Sequence, residues 1–257
     1  MMVNNGLLET VSAIARDAGE VIRAVYATEF DVLAKADDSP VTLADQRAEA
    51  VILAGLAKLT PTLPVVAEES AAAGRVPTLE SSDAWFWLVD PLDGTREFIS
   101  RNGEFTVNIA LIHAGEPVLG VVLAPAIDTL YAGARGLGAT RDAAGVRQSI
   151  HCRPAPVEGL AVVESRSHGD GDALDRWLAG RTIASRVKAG SSLKLCLLAE
   201  GRADLYPRLG RTMEWDIAAG HAVLAAAGGR ILRIDDGAPL RYGKPDFENP
   251  GFVAQGL

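Results

Sequence analysis

The 257-residue sequence has few cysteines, no excess of basic residues and no long apolar run. Cys152 and Cys196 are its only cysteines, which is too few for a disulfide framework and indicates a reducing compartment. The 33 acidic residues outnumber the 25 basic ones, for a net charge of −8. This balance argues against a nucleic-acid duplex as partner, because proteins that bind duplexes usually carry a basic surface. A small anionic substrate remains compatible, since a few basic side chains and metal ions form a local positive pocket.

The sequence also lacks the signals of a membrane or secreted protein. No stretch approaches the roughly 20 apolar residues that span a bilayer. The longest candidate, residues 107–123, is interrupted by His113, Gly115, Glu116 and Pro117. The first residues contain no basic region that leads into an apolar core, so no signal peptide is predicted. We therefore expect a cytoplasmic protein.

No internal repeat, low-complexity segment or Gly/Ser- or Pro-rich linker divides the chain. Its length suits one large domain or two tightly joined halves. Residues 1–153 mix helical patterns with strands of an antiparallel tendency, whereas residues 154–257 alternate strands and helices, as an α/β structure does. We expect one compact unit of two parts, with a boundary near Pro154.

Two helices are predicted in the first part. Apolar residues at helical spacing from Leu7 to Val25 indicate an amphipathic helix. A second helix opens at residues 41–45, with Thr42 as its N-cap. Asp45 then lies in the first turn, where the helix dipole favours a carboxylate. A purely structural role is therefore one interpretation of Asp45.

Residues 105–112 and 118–123 are predicted to form a β-hairpin whose loop, residues 114–117, is longer than two residues. In the second part a helix is predicted to start at Ser191 or Ser192, with one of these serines as its cap.

The most informative stretch begins with a strand and a proline. Residues 85–89, Trp-Phe-Trp-Leu-Val, are five consecutive apolar residues, which predicts a buried strand. Pro91 favours an extended Asp90 and removes a ladder donor, so we expect the strand to end at Asp90.

The polar residues after this strand point to phosphate chemistry. Asp90 and Asp93 place two carboxylates three residues apart, and Gly94 permits a close approach of a ligand. Thr95 begins a short predicted helix whose free N–H groups suit a phosphate. Mg²⁺ prefers carboxylate oxygens and commonly shares its coordination shell with phosphate. The stretch predicts a metal-assisted phosphate site, although Asp, Pro and Gly are also ordinary turn residues.

Three ordered motifs carry a resemblance to a known family. Residues 67–70 (AEES), 90–95 (DPLDGT) and 214–220 (EWDIAAG) resemble the signatures of the inositol monophosphatase superfamily of Mg²⁺-dependent, lithium-sensitive phosphatases. Residues 96–108 and 190–194 are similar to its CysQ-type branch of bacterial 3′(2′),5′-bisphosphate nucleotidases. The similarity runs from about residue 7 to the C-terminal end. It implies the layered α/β sugar-phosphatase fold, an α/β/α/β/α five-layer sandwich as in inositol monophosphatase and fructose-1,6-bisphosphatase.

The resemblance implies a catalytic site for two or three Mg²⁺ ions, carried mainly by residues 1–153. The implied metal ligands are Glu68, Asp90, Asp93 and Asp216, together with the Leu92 carbonyl oxygen. Hard cations require such oxygen ligands, and four acids without cations would repel one another. The implied catalytic residues are Asp45, Thr95 and Glu68. In the family a Thr–Asp pair orients the attacking water, no phosphoenzyme forms, and no histidine is needed as base.

The resemblance also implies a set of substrate contacts. These are Leu92, Asp93, Gly94, Thr95, His168, Ser191, Lys194, Arg208 and Asp216. Lys194 and Arg208 would neutralise a 5′-phosphate that is not cleaved. Simpler interpretations stay open: Lys194 as a solvated helix residue, Ser191 as a helix cap and His168 as a loop residue.

The implied reaction is hydrolysis of adenosine 3′,5′-bisphosphate to AMP and phosphate in sulfur assimilation, with phosphoadenosine phosphosulfate as a further substrate. The nearest alternative is an inositol or other sugar monophosphatase, and an alternative of another class is a non-catalytic nucleotide sensor. The expected partner is the small-molecule substrate, without nucleic acid, and the chain is a monomer or homodimer. Some bacterial relatives associate peripherally with the cytoplasmic side of the inner membrane.

Overall fold

The computed structural model describes residues 2–34, 40–79, 81, 83–166 and 171–257. The helices in these residues are α1 Asn5–Tyr26, α2 Leu43–Leu59, α3 Glu68–Ala72, α4 Thr95–Ile99, α5 Gly171–Leu178, α6 Leu193–Ala199 and α7 Glu214–Ala226. The strands are β1 Val32–Ala34, β2 Pro40–Thr42, β3 Val65–Ala67, β4 Trp85–Asp93, β5 Thr106–His113, β6 Glu116–Ala124, β7 Thr129–Ala134, β8 Gly138–Ala143, β9 Val146–Ile150, β10 Leu160–Ser165, β11 Ile183–Ala189, β12 Leu205–Arg208, β13 Thr212–Met213, β14 Arg230–Arg233, β15 Glu248–Asn249 and β16 Phe252–Gln255. A 3₁₀ turn, Pro125–Ile127, links β6 to β7. The predicted turn at residues 37–39 lies outside the described residues.

Two sheets form the framework. The first has seven strands in the order β3-β4-β5-β6-β7-β8-β9, and only the β3–β4 pair is parallel. The second has five strands in the order β11-β10-β12-β16-β14, with β10 parallel to both β11 and β12. The antiparallel tendency predicted for the first part and the mixed α/β pattern predicted for the second are both confirmed.

Three apolar clusters fill the interfaces between five layers, and one of them extends over two interfaces. Helices α1 and α2 pack on one face of the first sheet, where Ile22 and Ile52 meet Trp87 and Ile109. Helices α6 and α7 fill the space between the two sheets, and they share one cluster with both. Helix α5 covers the outer face of the second sheet through a smaller cluster around Leu178. The order helix, sheet, helix, sheet, helix is the five-layer α/β sandwich that the sequence predicted.

Both long helices of the first part have side-chain caps, of which only the Thr42 cap of α2 was predicted. The Asn4 side chain accepts a hydrogen bond from the Leu7 amide at 2.9 Å, which caps α1. Thr42 caps α2, and Asp45 completes a capping box by accepting from the Thr42 amide at 2.7 Å. Such reciprocal caps satisfy N–H groups that a helix leaves unpaired.

The predicted end of strand β4 is wrong. The strand continues past Asp90 to Asp93, with a register shift against β5 between these two residues. This bulge takes Pro91 out of the regular ladder, so its missing N–H costs no ladder hydrogen bond. Leu92 finds a local partner instead, because its amide donates to Asp90 Oδ1 at 3.0 Å.

The predicted hairpin exists, but its loop is shorter than expected. Strands β5 and β6 pair through His113 and Glu116, which leaves Ala114 and Gly115 as a two-residue loop. Both loop residues have positive φ, 51° and 72°. Positive φ at both positions is the geometry that matches the twist of paired strands. An alanine in the first position concealed this turn from sequence-based prediction.

Candidate active site

A cavity of about 860 Å³ opens where the two parts of the chain meet. Its walls come from the end of β4, the starts of α3, α4, α6 and α7, strand β12 and residues 245–247. Most of the predicted site residues line it: Glu68, Asp93, Gly94, Thr95, Ser191, Lys194, Arg208 and Asp216. The structure therefore brings together residues that are up to about 150 positions apart in the sequence.

The other predicted site residues lie behind this lining or outside the described residues. Asp45, Asp90 and Leu92 are buried, with exposures of 1%, 2% and 1%. Asp45 and the Leu92 carbonyl oxygen both accept from the hydroxyl of Thr95, which lines the cavity. Asp90 is close enough to Asp93 for their carboxylates to repel each other. His168 lies outside the described residues, so its predicted contact with the substrate stays a prediction.

The turn between β4 and α4 requires glycine. Gly94 has φ 89°, and a Cβ there would lie 3.2 Å from the main-chain oxygen of Glu104. Glycine adopts this left-handed conformation without steric cost. It is the N-cap residue of α4, which leaves the first amides of that helix without intrahelical acceptors.

Four carboxylates interact at the floor of the cavity. Burial raises the pKa of Asp90 well above its usual value, and Glu68, Asp93 and Asp216 raise it further by repulsion. The pKa of Asp216 is also raised, by burial and by Asp93 and Glu68. Like charges kept this close in a buried place are costly unless positive charge compensates them.

The donor set fits a divalent metal ion. Carboxylate oxygens and a main-chain carbonyl are the ligands that hard cations take. Asp216 keeps one oxygen engaged, since its Oδ2 accepts from the Met213 amide at 2.8 Å as part of the α7 capping box. Among the described residues, however, no three His, Cys, Asp or Glu side chains already surround one point closely enough to hold an ion. Glu68, Asp93 and Asp216 line one cavity with Asp90 behind them, and the assignment of all four as ligands stays a prediction.

A hydrogen bond links Thr95 to Asp45. Thr95 Oγ1 donates to Asp45 Oδ1 at 3.3 Å and also lies 3.4 Å from the Leu92 carbonyl oxygen. The other oxygen of Asp45 accepts from the amide and the hydroxyl of Thr42, both at 2.7 Å. Burial raises the pKa of Asp45 to about 6, even though the hydrogen bonds from Thr42 lower it. The structural and the functional interpretation of Asp45 are thus compatible in one side chain.

Two cationic side chains face the acids across the cavity. Lys194 is 7% exposed, so it is not a solvated helix residue. Its ammonium group donates to the Ser191 carbonyl at 2.5 Å and lies 5.6 Å from the Tyr206 ring centroid. Burial lowers the pKa of Lys194 to about 8, although Asp93 acts in the opposite direction. Arg208 is held at the rim by the carbonyls of Gly210 and Arg211, at 3.2 and 2.8 Å.

Neither serine at the start of α6 caps the helix through its side chain, contrary to the prediction. Ser192 occupies the N-cap position without a side-chain capping bond, and Ser191 has φ 55°. Their hydroxyls instead reach Asp93 and the main chain of Asp216. Contacts across such sequence distances are invisible to a local capping rule.

Several residues around the site escaped sequence-based prediction. Glu49 is buried on α2 and accepts from the Glu69 amide at 2.8 Å and from Ser70 Oγ at 2.7 Å, so it holds the start of α3 beside Glu68. Its position four residues after Asp45, on the apolar face of α2, was an available signal. Further residues without a predicted role line the cavity: Arg96, Arg211, Trp215 and Phe247.

The arrangement suits an organic phosphate ester with a second anionic group. The acid floor has the oxygen donors that cations bound to a phosphate require, and Lys194 and Arg208 carry charge that suits a second anion. Trp215 and Phe247 form an aromatic part of the wall, with ring centroids 6.0 Å apart.

No helix in the described part of the chain is long and apolar enough to cross a bilayer.

Comparison with known proteins points to one family. A family model described as the inositol monophosphatase family matches residues 4–256. The chain is 50% identical to the 3′(2′),5′-bisphosphate nucleotidase CysQ of Escherichia coli O157:H7 over 251 residues. These residues cover 96% of this chain and 98% of that protein. The CysQ of Buchnera aphidicola is 40% identical over 258 residues, which cover 98% of this chain and 94% of that protein.

Solved structures agree with the sequence comparison. The structure is similar to that of CysQ from Bacteroides thetaiotaomicron, a bacterial member of the inositol monophosphatase family, with a TM-score of 0.81, 35% identity and coverage of 98% of this chain and 97% of that chain. It is also similar to inositol monophosphatase from Anabaena, with a TM-score of 0.76, 28% identity and coverage of 97% and 90%.

Proposed function

Because the chain belongs to the inositol monophosphatase family, we propose that it is a Mg²⁺-dependent 3′(2′),5′-bisphosphate nucleotidase. It hydrolyses adenosine 3′,5′-bisphosphate to AMP and phosphate. One observation carries this proposal: a single cavity combines the acid cluster with Lys194 and Arg208, so that it offers places for two phosphate groups. The CysQ relatives carry the corresponding activity in their names.

The metal site is assigned to the acid cluster. The proposed ligands are Glu68, Asp90, Asp93, Asp216 and the Leu92 carbonyl oxygen. Divalent cations bound there would neutralise phosphate charge and lower the pKa of water. The number of ions, two or three, belongs to this proposal.

The residues beside the acids position the reacting groups. Asp45 accepts a hydrogen bond from the Thr95 hydroxyl, which orients the Thr95 oxygen to accept a hydrogen bond from the attacking water. Glu68 lies on the cavity wall at the start of α3 and assists in this placement. The amides of Gly94 and Thr95 bind oxygens of the phosphate that is cleaved. Attack by water directly on phosphorus requires no covalent phosphoenzyme.

The other phosphate is bound but not cleaved. Lys194 provides a compact charge near the acids, and Arg208 offers a planar fork that matches phosphate oxygens. Both side chains line the same cavity as Asp93. Selection of the nucleotide over a simple monophosphate is therefore assigned to these two residues, with Ser191 and His168 as further predicted contacts.

A panel of phosphate-release assays tests this function. With Mg²⁺, adenosine 3′,5′-bisphosphate should have a much higher kcat/KM than inositol 1-phosphate, and Li⁺ should inhibit turnover. Asp93→Ala should abolish turnover with every substrate, because it removes a metal ligand. A reversed substrate ranking would make the chain a sugar monophosphatase. Nucleotide binding without any Mg²⁺-stimulated phosphate release would make it a sensor.

A second comparison isolates the role of Arg208. Arg208→Ala should raise KM for the bisphosphate by about 10-fold or more, as expected for loss of one charge-assisted contact. Hydrolysis of a simple monophosphate should stay nearly unchanged. Arg147→Ala is the matched control, because Arg147 pairs with Glu9 outside the cavity. Equal losses on both substrates would deny Arg208 a part in nucleotide selection.

A further inference from the structure

The two serines that begin α6 connect this helix to acids from two other elements. Ser191 Oγ lies 2.7 Å from Asp93 Oδ2 and 2.8 Å from the Asp93 carbonyl oxygen. On its other side the same hydroxyl lies 2.7 Å from Thr106 Oγ1 on β5. Each hydroxyl has one proton, so Ser191 donates to Asp93 while it accepts from Thr106. Thr106, Ser191 and Asp93 thus form one hydrogen-bonded row.

Ser192 forms a parallel row with the next polar residue of β5. Asn108 Nδ2 donates to Ser192 Oγ at 2.9 Å, and Ser192 Oγ donates to the Asp216 carbonyl oxygen at 2.5 Å. Asn108 Nδ2 also lies 3.4 Å from that carbonyl. This row ends on the first turn of α7, the helix that presents the Asp216 carboxylate to the cavity.

The two rows start side by side on β5. Thr106 and Asn108 are two residues apart in the strand and point to the same face, with Thr106 Oγ1 3.1 Å from Asn108 Oδ1. Because the one Thr106 proton goes to Ser191, the strand itself, and not a further hydrogen bond, connects the two rows. Thr106, Asn108, Ser191 and Ser192 are all buried. Buried polar groups are costly unless they are bonded, so this network fixes a single arrangement when it is complete. We call these four residues the polar ladder.

The polar ladder binds both acids but leaves some of their carboxylate oxygens outside its contacts. It engages Oδ2 of Asp93 and the main-chain oxygen of Asp216, and its contacts do not use Oδ1 of either residue. Asp93 belongs to the first sheet, whereas Asp216 belongs to the helix between the sheets. The ladder is thus a polar bridge that sets one acid relative to the other.

We propose that Thr106 and Asn108 are positioning residues for the divalent-cation site, acting through Ser191 and Ser192 on Asp93 and Asp216. This inference rests on the proposed function, because it takes both acids as cation ligands. Outer groups that orient metal ligands are commonly worth 10- to 100-fold in metal affinity. The ladder also gives Ser191 a role that does not require contact with the substrate.

The test measures cation binding directly, without turnover. Mn²⁺ affinity is measured by electron paramagnetic resonance for wild type, Thr106→Val and Ser192→Ala. Each variant removes a ladder hydroxyl and should weaken Mn²⁺ binding about 10- to 100-fold. Thr129→Val and Ser12→Ala are matched controls, since both side chains are buried and their hydroxyls donate to local carbonyls, those of Ile127 and Leu8, away from the acid cluster. The controls should bind Mn²⁺ as wild type does.

A conservative variant separates positioning from packing. Thr106→Ser keeps the hydroxyl and should retain an affinity close to that of wild type, whereas a packing role would make it as harmful as Thr106→Val. If Thr106→Val does not fold, Ser192→Ala decides alone. Folded ladder variants with wild-type Mn²⁺ affinity would overturn the inference.

One further variant keeps this outcome distinct from failure of the proposed function. Asp90→Asn removes a predicted direct ligand and should nearly abolish Mn²⁺ binding. If Asp90→Asn weakens binding and the ladder variants do not, only the positioning role is wrong. If Asp90→Asn also binds Mn²⁺ normally, the metal site itself is misassigned, and the ladder inference falls with it.

Discussion

Asp45 combines a structural role with a proposed catalytic one, and the two make opposite demands on its environment. As the third residue of α2 it completes a capping box, and through its hydrogen bond to Thr95 it is proposed to help orient the attacking water. Burial at 1% exposure raises its pKa to about 6, from an ordinary value of 3.8. A carboxylate that is costly in the folded protein but useful in catalysis is the pattern expected where function opposes stability.

Asp45→Asn should therefore stabilise the metal-free protein at neutral pH while it lowers kcat. The folded state binds the Asp45 proton more tightly than the unfolded state, so wild-type stability falls as pH rises from about 4 to above 6. One pKa unit corresponds to about 1.4 kcal/mol, which makes the total loss about 3 kcal/mol. Asp45→Asn lacks this loss, and its kcat should fall about 100-fold or more because Thr95 loses an anionic acceptor.

Urea unfolding of both proteins in EDTA at several pH values measures this difference. The gap in the free energy of unfolding should widen in favour of Asp45→Asn between pH 4 and pH 7. Parallel pH curves for the two proteins would show that the Asp45 pKa is not raised. Thr60→Val is the control, because it removes a hydroxyl that accepts from Trp87 outside the cavity and changes no charge. Its pH curve should run parallel to that of wild type.

Single residues were predictable wherever their chemistry was local. Thr42 as an N-cap followed from sequence, because its partners are two and three residues away. The surroundings of Ser191 and Lys194 could not be predicted from neighbouring residues. The Ser191 hydroxyl bonds residues 85 and 98 positions away, and the burial of Lys194 depends on elements that only the fold brings near. Composition and spacing contain no information about such distant partners.

At the scale of elements, prediction succeeded for strands with an apolar run and missed two strands with polar sequences. Strand β5 is buried along nearly its whole length, and its apolar run was recognised. Strands β8 and β9 were missed. In β9 only Ile150 is buried, so the strand shows neither an apolar run nor a regular alternation. Its pairing with β8 places it in the sheet despite its polar sequence.

The contact between β6 and α7 explains why a small residue is required at one point of a buried strand. A Cβ on Gly120 would lie 2.2 Å from the Ala219 carbonyl oxygen and 2.7 Å from the Ala222 Cβ. Helix α7 therefore lies directly against the sheet, where only glycine allows that approach. Because α7 carries Asp216, this contact also sets the height of the helix above the acid cluster.

Gly120→Ala should destabilise the protein and loosen the metal site. Forcing one methyl group into this contact should cost about 3 kcal/mol and lower Tm by roughly 6–12 °C. Mn²⁺ affinity should fall as well, since α7 must shift. Gly171→Ala is the matched control, because no atom of the described residues lies within 4 Å of a Cβ there, and its Tm should match wild type. An unchanged Tm for Gly120→Ala would show that the helix and the sheet are not packed this closely.

At the scale of the whole molecule, the two parts of the chain share their core. Helices α6 and α7 come from the second part, yet they cover the inner face of the first sheet. That face contributes Phe86, Leu88 and Ile112 to the same cluster as Val223 and Phe252. The five-layer order was predictable through the family resemblance, whereas periodicity alone gave only the kinds of elements and not their stacking.

This shared core leads us to propose that residues 1–153 and 154–257 are halves of one folding unit and not independent domains. A fragment of residues 1–153 would expose the inner face of its sheet, including Phe86 and Leu88, to water. Each large side chain of that kind contributes about 1.5–3 kcal/mol when buried, so the loss of several is comparable to the 5–15 kcal/mol that stabilises a typical domain. The fragment alone should not fold, and the full chain should unfold in one transition.

Two measurements check this proposal. The ¹H–¹⁵N spectrum of residues 1–153 should show the narrow dispersion of an unfolded or aggregated chain, and co-expression with residues 154–257 should restore a dispersed spectrum. Urea unfolding of the full chain should give the same midpoint by far-ultraviolet circular dichroism and by Trp fluorescence. The fluorescence samples both parts, through Trp85 and Trp87 in the first sheet, Trp177 in α5 and Trp215 in α7. A dispersed spectrum for the isolated fragment, or two separate midpoints, would mean that the first sheet folds without its inner helices, and the acid cluster would then depend on docking of two preformed halves.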